Sequence, residues 1–432
     1  MRAIAIADSD SYIKWGAALL SQLPAGWTTE LVVVRTAKAP SPSQLATALS
    51  GSGFEPASVT IRAVADAVTH VASERPDVVL MATIGPLADI VTEAVLAAAQ
   101  PRPVIVSGLP GIALPARRKA LLYRSQADLI VLHSQREIRR FRAIALANAL
   151  KHDFALASLP FLGSGRSAAG GRDVIFAAQA IVPPLREQRV QLLGWLAELA
   201  AADATRRVVI KVRAVGSEQQ THAETDGYAD LLVSEFPDAP ANLVVEGGPM
   251  AAHLAVASGL VTVSSTAALE AIAIGIPVLA IDEFGVTPQL INEVFSGSGL
   301  LGSAEQLVAA DFRAPDPTWL EDNYFHDRSE NSWIEQLGAL VLANRVGTLE
   351  ARPRVIRGPG GVLRRAWDRK RALGSHDRSV IGYLALAVGT PARDLVLALN
   401  ALRALTADDA PGPQPIALVD EAPALRGRSD NP

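Results

Sequence analysis

Several polar clusters in this chain stand at the ends of apolar, β-branched runs, where binding and catalytic groups of α/β proteins gather. The segment GLVTVSSTAALEAIAIGIPVLAIDEFG, residues 259–285, sets Ser264, Ser265 and Thr266 between a strand over Leu260–Val263 and a helix over Ala267–Ile274 closed by Gly275 and Pro277. Three hydroxyls backed by the free N–H groups and positive end of a helix make a phosphate site. They would also serve as plain helix caps, although Ala268 and Leu269 stand where Glu or Gln would complete a capping box. In RRVVIKVRAVGSEQQTHAE, 206–224, Lys211 and Arg213 lie two residues apart at a strand end and so share one face. Arg suits paired contacts to phosphate oxygens, while a solvent-facing strand edge would carry the same residues. His222 follows in a polar loop. Glu246, Gly247 and Gly248 follow a further strand, where glycine either admits a ligand to the backbone or makes a turn.

Near the start, IADSDSYIKW passes from strand to helix through Asp8 and Asp10. A carboxylate there can take a proton from a substrate hydroxyl, or cap the helix. Asp10 is the better base, because Asp8, nearer the strand, is placed to receive backbone N–H groups. His133, at the end of a later strand in LIVLHSQREIRRF, is the reserve. Arg117, Arg118, Lys119, Arg124, Arg136, Arg139 and Arg140 form basic runs suited to an anionic acceptor or to a solvated face.

Strands and helices that position these residues alternate along most of the chain. In the first half the expected strands are Ala3–Ala7, Leu31–Val34, Val59–Ala63, Val78–Ala82, Pro103–Val106 and Leu129–His133, with helices at Tyr12–Gln22 and Leu87–Ala99. The Gly/Ser/Ala-rich stretch 163–172 reads as a linker. The pattern restarts with strands Val174–Ala178, Arg207–Val212, Asn242–Val245, Leu260–Val263 and Val278–Ile281, and helices Pro184–Ala201, Tyr228–Phe236 and Ala267–Ile274. The expectation is an α/β protein of two Rossmann-like, doubly wound domains, 1–162 on the acceptor side and 173–345 on the donor side. A basic helical extension over 346–405 and a Pro-rich tail over 406–432 follow.

The chain has 432 residues, no cysteine and a net charge of -4, from 40 basic against 44 acidic residues. Thiol chemistry is excluded, and the charge balance does not indicate nucleic-acid binding. Only six of the basic residues are lysines. Asp8 and Asp10 interrupt any leader-like apolar core, and no run suits a membrane span, so a cytoplasmic, soluble protein is expected. There is no HExxH, EF-hand, Walker A or Gly-x-Gly-x-x-Gly sequence, and no metal or cofactor is expected. Residues Arg352 to Arg378 hold nine Arg or Lys against Asp368 and Asp377. That suits either peripheral contact with the inner face of an anionic membrane or intramolecular pairing.

The combination of SSTAALEAIAIGIPVLAI with two βα halves resembles the donor domain of GT-B glycosyltransferases, and in particular bacterial sialyltransferases, capsular Kdo transferases and polyol-phosphate transferases. The likeness covers mainly residues 205–300. The whole chain is also similar to an actinobacterial glycosyltransferase-like group sharing IADSDSYIKW, IKVRAVGSEQQTH and TVSSTAALEA. The resemblance implies a GT-B fold and a nucleotide-sugar donor as co-substrate, such as a CMP-linked nonulosonic acid or Kdo-type sugar. It also implies a glycan or glycolipid acceptor in cell-surface glycan synthesis. It assigns Glu270 to the donor ribose and Ser264, Ser265, Lys211 and Arg213 to donor phosphate. The Lys-Pro-His-Pro-like sequence of the sialyltransferase-type families reads Lys211-Val212-Arg213-Ala214 here, so Arg213 would replace the histidine cation. Retaining GT-B enzymes carry a second Glu eight residues before the first, where this chain has Thr262, which favours inversion. A nucleotide-sugar 2-epimerase and a non-catalytic nucleotide-sugar-binding partner in a polysaccharide locus are the alternatives.

Overall fold

The computed structural model describes residues 1–36, 39–160, 162, 171–212, 226–355 and 361–391. In chain order the first run is β1 (Arg2–Ala7), α1 (Asp10–Leu20), β2 (Thr28–Val34), α2 (Pro42–Leu49), β3 (Thr60–Arg62), α3 (Val64–Glu74), β4 (Val78–Ala82), α4 (Gly85–Ala98), β5 (Val104–Gly108), α5 (Arg118–Leu122), β6 (Leu129–Leu132), α6 (Gln135–Ala147) and β7 (Phe154–Leu156). Its strands form one parallel sheet in the order β3-β2-β1-β4-β5-β6-β7. Helices cover both faces, which is why central strands such as β4, Val-Val-Leu-Met-Ala, are apolar and buried at every residue.

The second run is β8 (Asp173–Ala177), α7 (Arg186–Ala202), β9 (Val208–Lys211), α8 (Tyr228–Glu235), β10 (Leu243–Glu246), α9 (Met250–Leu254), β11 (Ala257–Thr262), α10 (Ala267–Ala273), β12 (Val278–Ile281), β13 (Leu301–Gly302), α11 (Ala304–Val308) and α12 (Pro317–Asp322). It makes a second parallel sheet, β10-β9-β8-β11-β12-β13. Strand order reverses between β1 and β4 in the first sheet and between β8 and β11 in the second. At such points neighbouring strands send their connections to opposite faces, leaving a crevice beyond their carboxyl ends.

The next helix, α13 (Trp333–Arg345), corrects the expected limit of the second domain at 345. Trp333, Leu337 and Val341 pack into the first domain's core beside Ile13, Leu19 and Leu31. Trp333 Nε1 donates to the Gln22 side chain at 3.0 Å, and Asn344 Nδ2 to the Arg102 carbonyl at 2.8 Å. An apolar stripe on a helix specifies that it must be covered, not by which sheet. Of the expected linker, residues 163–170 lie outside the described residues, as does the 406–432 tail.

The basic stretch continues into α14 (Gly361–Leu373), which lies against α4 and sends Leu373 into the first core. Most of its expected surface charge is matched within the chain. Arg354 makes paired bonds to Asp89 at 3.1 and 2.7 Å and an ion pair with Glu93 at 2.6 Å. Arg352 pairs with Asp153, Arg365 with Glu93, and Arg369 with Asp377. Among the described residues no helix is long and apolar enough to cross a membrane.

Candidate functional site

The turn after β11 is held by its own side chains and by β8. Ser264 donates from both N–H and Oγ to Gln179 Oε1, at 3.0 and 3.1 Å, so a residue beyond β8 and one beyond β11 meet across the crevice of the second sheet. Thr262 Oγ1 accepts the Ser265 N–H at 3.0 Å, and Ser265 Oγ accepts the Ala267 N–H at 3.2 Å. Ser265, one residue before the N-cap Thr266, therefore satisfies the first N–H of α10. That helix has only seven residues, so its dipole adds little, and positive charge at this site must come chiefly from side chains.

Glu270, one turn into α10, supplies the focus. Its half-buried carboxyl is pushed up by burial and drawn back by the positive charges of Lys14 and Lys211. It makes no hydrogen bond among the described residues. Lys211, buried at the end of β9, donates to the Val212 carbonyl at 2.5 Å. Lys14 belongs to α1 of the first domain, so Glu270 faces both domains. Thr266 reaches the first domain too: a Cβ added to Gly111 would lie 3.3 Å from Thr266 Cγ2, and Gly111 holds φ +75°. Arg213 and His222 lie outside the described residues.

Beyond the first sheet, Asp8 and Asp10 divide as their positions suggest. Asp8 is wholly buried, its Oδ2 accepting the Ile84 N–H at 3.2 Å and its Oδ1 the Ser9 hydroxyl at 3.1 Å. It thus bridges the ends of β1 and β4. Asp10, only partly covered, accepts the Ser11 N–H at 2.8 Å in the first turn of α1. Lys14 stands four residues on, on the same face of that helix. Lys14 lies close enough for its charge to act on Glu270.

Three expectations are corrected here. His133 is fully buried; its Nε2 accepts the Trp15 Nε1–H at 2.7 Å and its Nδ1–H donates to the Ala157 carbonyl at 2.7 Å. Burial lowers its pKa to about 4, and with both nitrogens occupied it cannot serve as base. Glu246 is paired with Arg207 and lies 3.6 Å from His253 Nδ1. His253 Nε2 donates to the Gly247 carbonyl at 2.8 Å, and Gly248 turns the chain at φ +91°. These three residues end β10, two strands from β8, and their polar groups serve the fold. Of the basic runs of the first domain, Arg124, Arg136 and Arg139 find internal partners. Buried Arg124 donates to Tyr12 Oη, Ser107 Oγ and the carbonyls of Thr83, Gly108 and Ala120. Arg136 donates to the carbonyls of Glu293, Val294 and Ser296, and Arg139 grips Asp322, so α6 fastens the second domain.

Lys14, Gln179 and Glu137 were missed from the sequence. Lys14 alone had a signal, as one of six lysines in an arginine-rich chain and four residues beyond Asp10. Among the described residues no group of three or more His, Asp or Glu could hold a metal ion.

The family described as "Putative glycosyltransferase (DUF6716)" matches residues 3–340. No curated protein sequence matches the chain. Among solved structures, a "putative UDP-N-acetylglucosamine 2-epimerase" of Listeria monocytogenes is similar at 12% identity, over 83% of this chain and 99% of that one, with TM-score 0.52. The UDP-bound MnaA protein of S. aureus is similar at 12% identity, over 82% and 100%, with TM-score 0.50. The lipopolysaccharide outer core galactosyltransferase WaaB gives 10% identity, 80% and 100%, and TM-score 0.44. At such identities the likeness concerns the fold alone, two Rossmann-like domains in the GT-B arrangement.

Proposed function

The chain belongs to that glycosyltransferase family, and from this premise we propose that it transfers a sugar, with inversion and without a metal ion, from a nucleotide-activated donor to an acceptor hydroxyl at the first domain. The observation that carries the reading is that Glu270 of the second domain interacts by charge both with Lys211 and with Lys14 of the first domain, one helical turn beyond Asp10 on α1. In the proposed step the Asp10 carboxylate takes the acceptor proton as that oxygen bonds to the anomeric carbon. The bond from that carbon to the donor phosphate breaks, and its electron pair leaves with the phosphate. Lys211 and Lys14 are suited to meet the charge that gathers on the leaving phosphate, a task that a metal ion performs in other transferases. Glu270, which accepts no hydrogen bond among the described residues, is suited to accept from the donor ribose hydroxyls, and Ser264, Ser265 and Thr266 are suited to the phosphate side.

The donor implied by resemblance, a CMP-linked nonulosonic acid or Kdo-type sugar, and a glycan or glycolipid acceptor of the cell surface, belong to this proposal. The test is a thermal-shift screen with CMP, CDP, UDP and GDP and their sugars, because a ligand bound only by the folded state raises stability. It is followed by transfer assays with and without a chelator. Acceptor-dependent transfer that persists in chelator supports the reading. Conversion of the donor without any acceptor would replace it with epimerisation, and nucleotide binding without turnover would replace it with a binding role.

A further inference from the structure

Residues 379–391, Ser-Val-Ile-Gly-Tyr-Leu-Ala-Leu-Ala-Val-Gly-Thr-Pro, contain no charged side chain, and 380–391 form a helix. Its inner face is small and packed. Ala385 lies with Ala366 and Trp367, and a Cβ on Gly389 would come 2.5 Å from the Trp367 ring. Its outer face is apolar: Val380, Tyr383, Leu384, Ala387 and Val388 recur at three- and four-residue spacing and are all exposed, Val380 by 75% and Val388 by 67%. A helix on a water-facing surface carries polar residues on that face, so this stripe is inverted. Val362 and Leu363, at the start of α14, are exposed as well.

The stripe is bordered by positive charge. Arg371, its guanidinium 4.7 Å from the Trp367 ring, and Arg378, two residues before Val380, are exposed and make no ion pair among the described residues. The nearby acids are engaged, Asp368 with Arg364 and Asp377 with Arg369. Lys370 lies over the exposed Tyr383 ring at 3.4 Å, which places the cationic end of α14 beside the stripe.

We propose that this helix, with Arg371 and Arg378, lies in the interface of a membrane carrying anionic phospholipid. One face of the helix packs on Trp367 of α14, so the helix lies along the bilayer with its exposed stripe turned to the lipid. Lipid suits the site better than a second copy of this chain. Phosphate headgroups would neutralise Arg371 and Arg378 while acyl chains take Val380, Leu384 and Val388, which matches both the charge and the apolar face of the site. The contact differs from the one expected over Arg352 to Arg378: much of that charge is spent inside the chain, and the apolar face just beyond it does the work. Because α14 packs on α4, the surface belongs to the first domain, and the inference does not depend on the donor assignment.

The test is co-sedimentation of the full chain with vesicles of phosphatidylcholine alone or mixed with phosphatidylglycerol. Binding to the mixed vesicles that weakens with salt is expected. The double variant Leu384→Asp, Val388→Asp, altered only at exposed positions, should melt like the parent and bind at least about tenfold less. Arg371→Glu with Arg378→Glu should lose the preference for anionic lipid. Absence of binding to anionic vesicles would overturn the proposal, as would binding indifferent to the aspartate variants. So would an oligomer of the parent chain that the aspartate variants dissolve, which assigns the stripe to a second copy.

Discussion

Tyr324 donates its phenolic hydrogen to Glu137 Oε1 at 2.6 Å, across the joint between the two domains. The same oxygen accepts the Ala113 N–H at 2.7 Å, and Oε2 accepts the His133 N–H at 3.0 Å. One buried carboxylate thus holds α6, the segment carrying Gly111, and the chain returning from the second domain. With Arg136 and Arg139 it pins the domains together, while Lys14 of the first acts through its charge on Glu270 of the second.

Burial pushes the Glu137 carboxyl above its ordinary range. A carboxyl whose folded pKa is raised favours the native state most below its unfolded pKa of about 4.3, and that advantage is lost as pH rises through the folded value. Glu137→Gln removes this titration, so its stability should vary less with pH over that window than the parent's. At neutral pH the amide NH2 of Gln faces a hydrogen-bond donor and leaves it unsatisfied, at a cost of about 1–3 kcal/mol. Urea denaturation at several pH values checks both, and an unchanged slope against pH would remove the assignment.

If Asp10 is the base, Asp10→Asn keeps its shape and loses its basicity. Turnover should fall by about 10²–10⁴-fold while nucleotide binding persists. Asp8→Asn should act on melting temperature, because Asp8 joins the ends of β1 and β4. Near-normal turnover by Asp10→Asn sinks the base assignment.

On the donor side, Lys211→Ala and Ser265→Ala should each weaken nucleotide binding. For a charge-assisted contact the expected loss is about 1.5–3 kcal/mol, or roughly ten- to a hundredfold, with Ser265 at the smaller end. Glu270→Gln should discriminate nucleotides from their 2′-deoxy forms less well than the parent. Titration calorimetry decides, and parental affinity in both Lys211→Ala and Ser265→Ala would move the phosphate site elsewhere.

For His133 the expectation is structural. Its pKa of about 4, and that of His152, lowered to about 4 by burial with Arg352 nearby, lie below the unfolded value of about 6.5. Their stabilising contribution is therefore full above about pH 6.5 and is lost as pH falls toward the folded values. His133→Ala should cost about 2–4 kcal/mol and blunt this acid sensitivity, leaving the turnover of folded enzyme near normal. A large turnover defect at unchanged stability would return His133 to the chemistry.

The sequence by itself determined the two parallel sheets and the turns that carry the candidate site. Both are local: β-branched runs such as Val78–Ala82 and Val278–Ile281, punctuated by Gly and Pro, set the strands, and Asp8 to Asp10 and Ser264 to Thr266 follow strands within a few residues. The short edge strands β7 and β13 escaped. Only the tertiary structure decided the strand order that sets both turns at crevices, the return of α13 to the first core, and the facing of Lys14 with Glu270. It also decided that His133 would be locked between Trp15 and Ala157, and that Arg136, Arg352 and Arg354 would be used up internally. A residue's type limits what it can bond to, but its partner is chosen by which distant segments the packed sheets bring alongside, and no local pattern carries that choice.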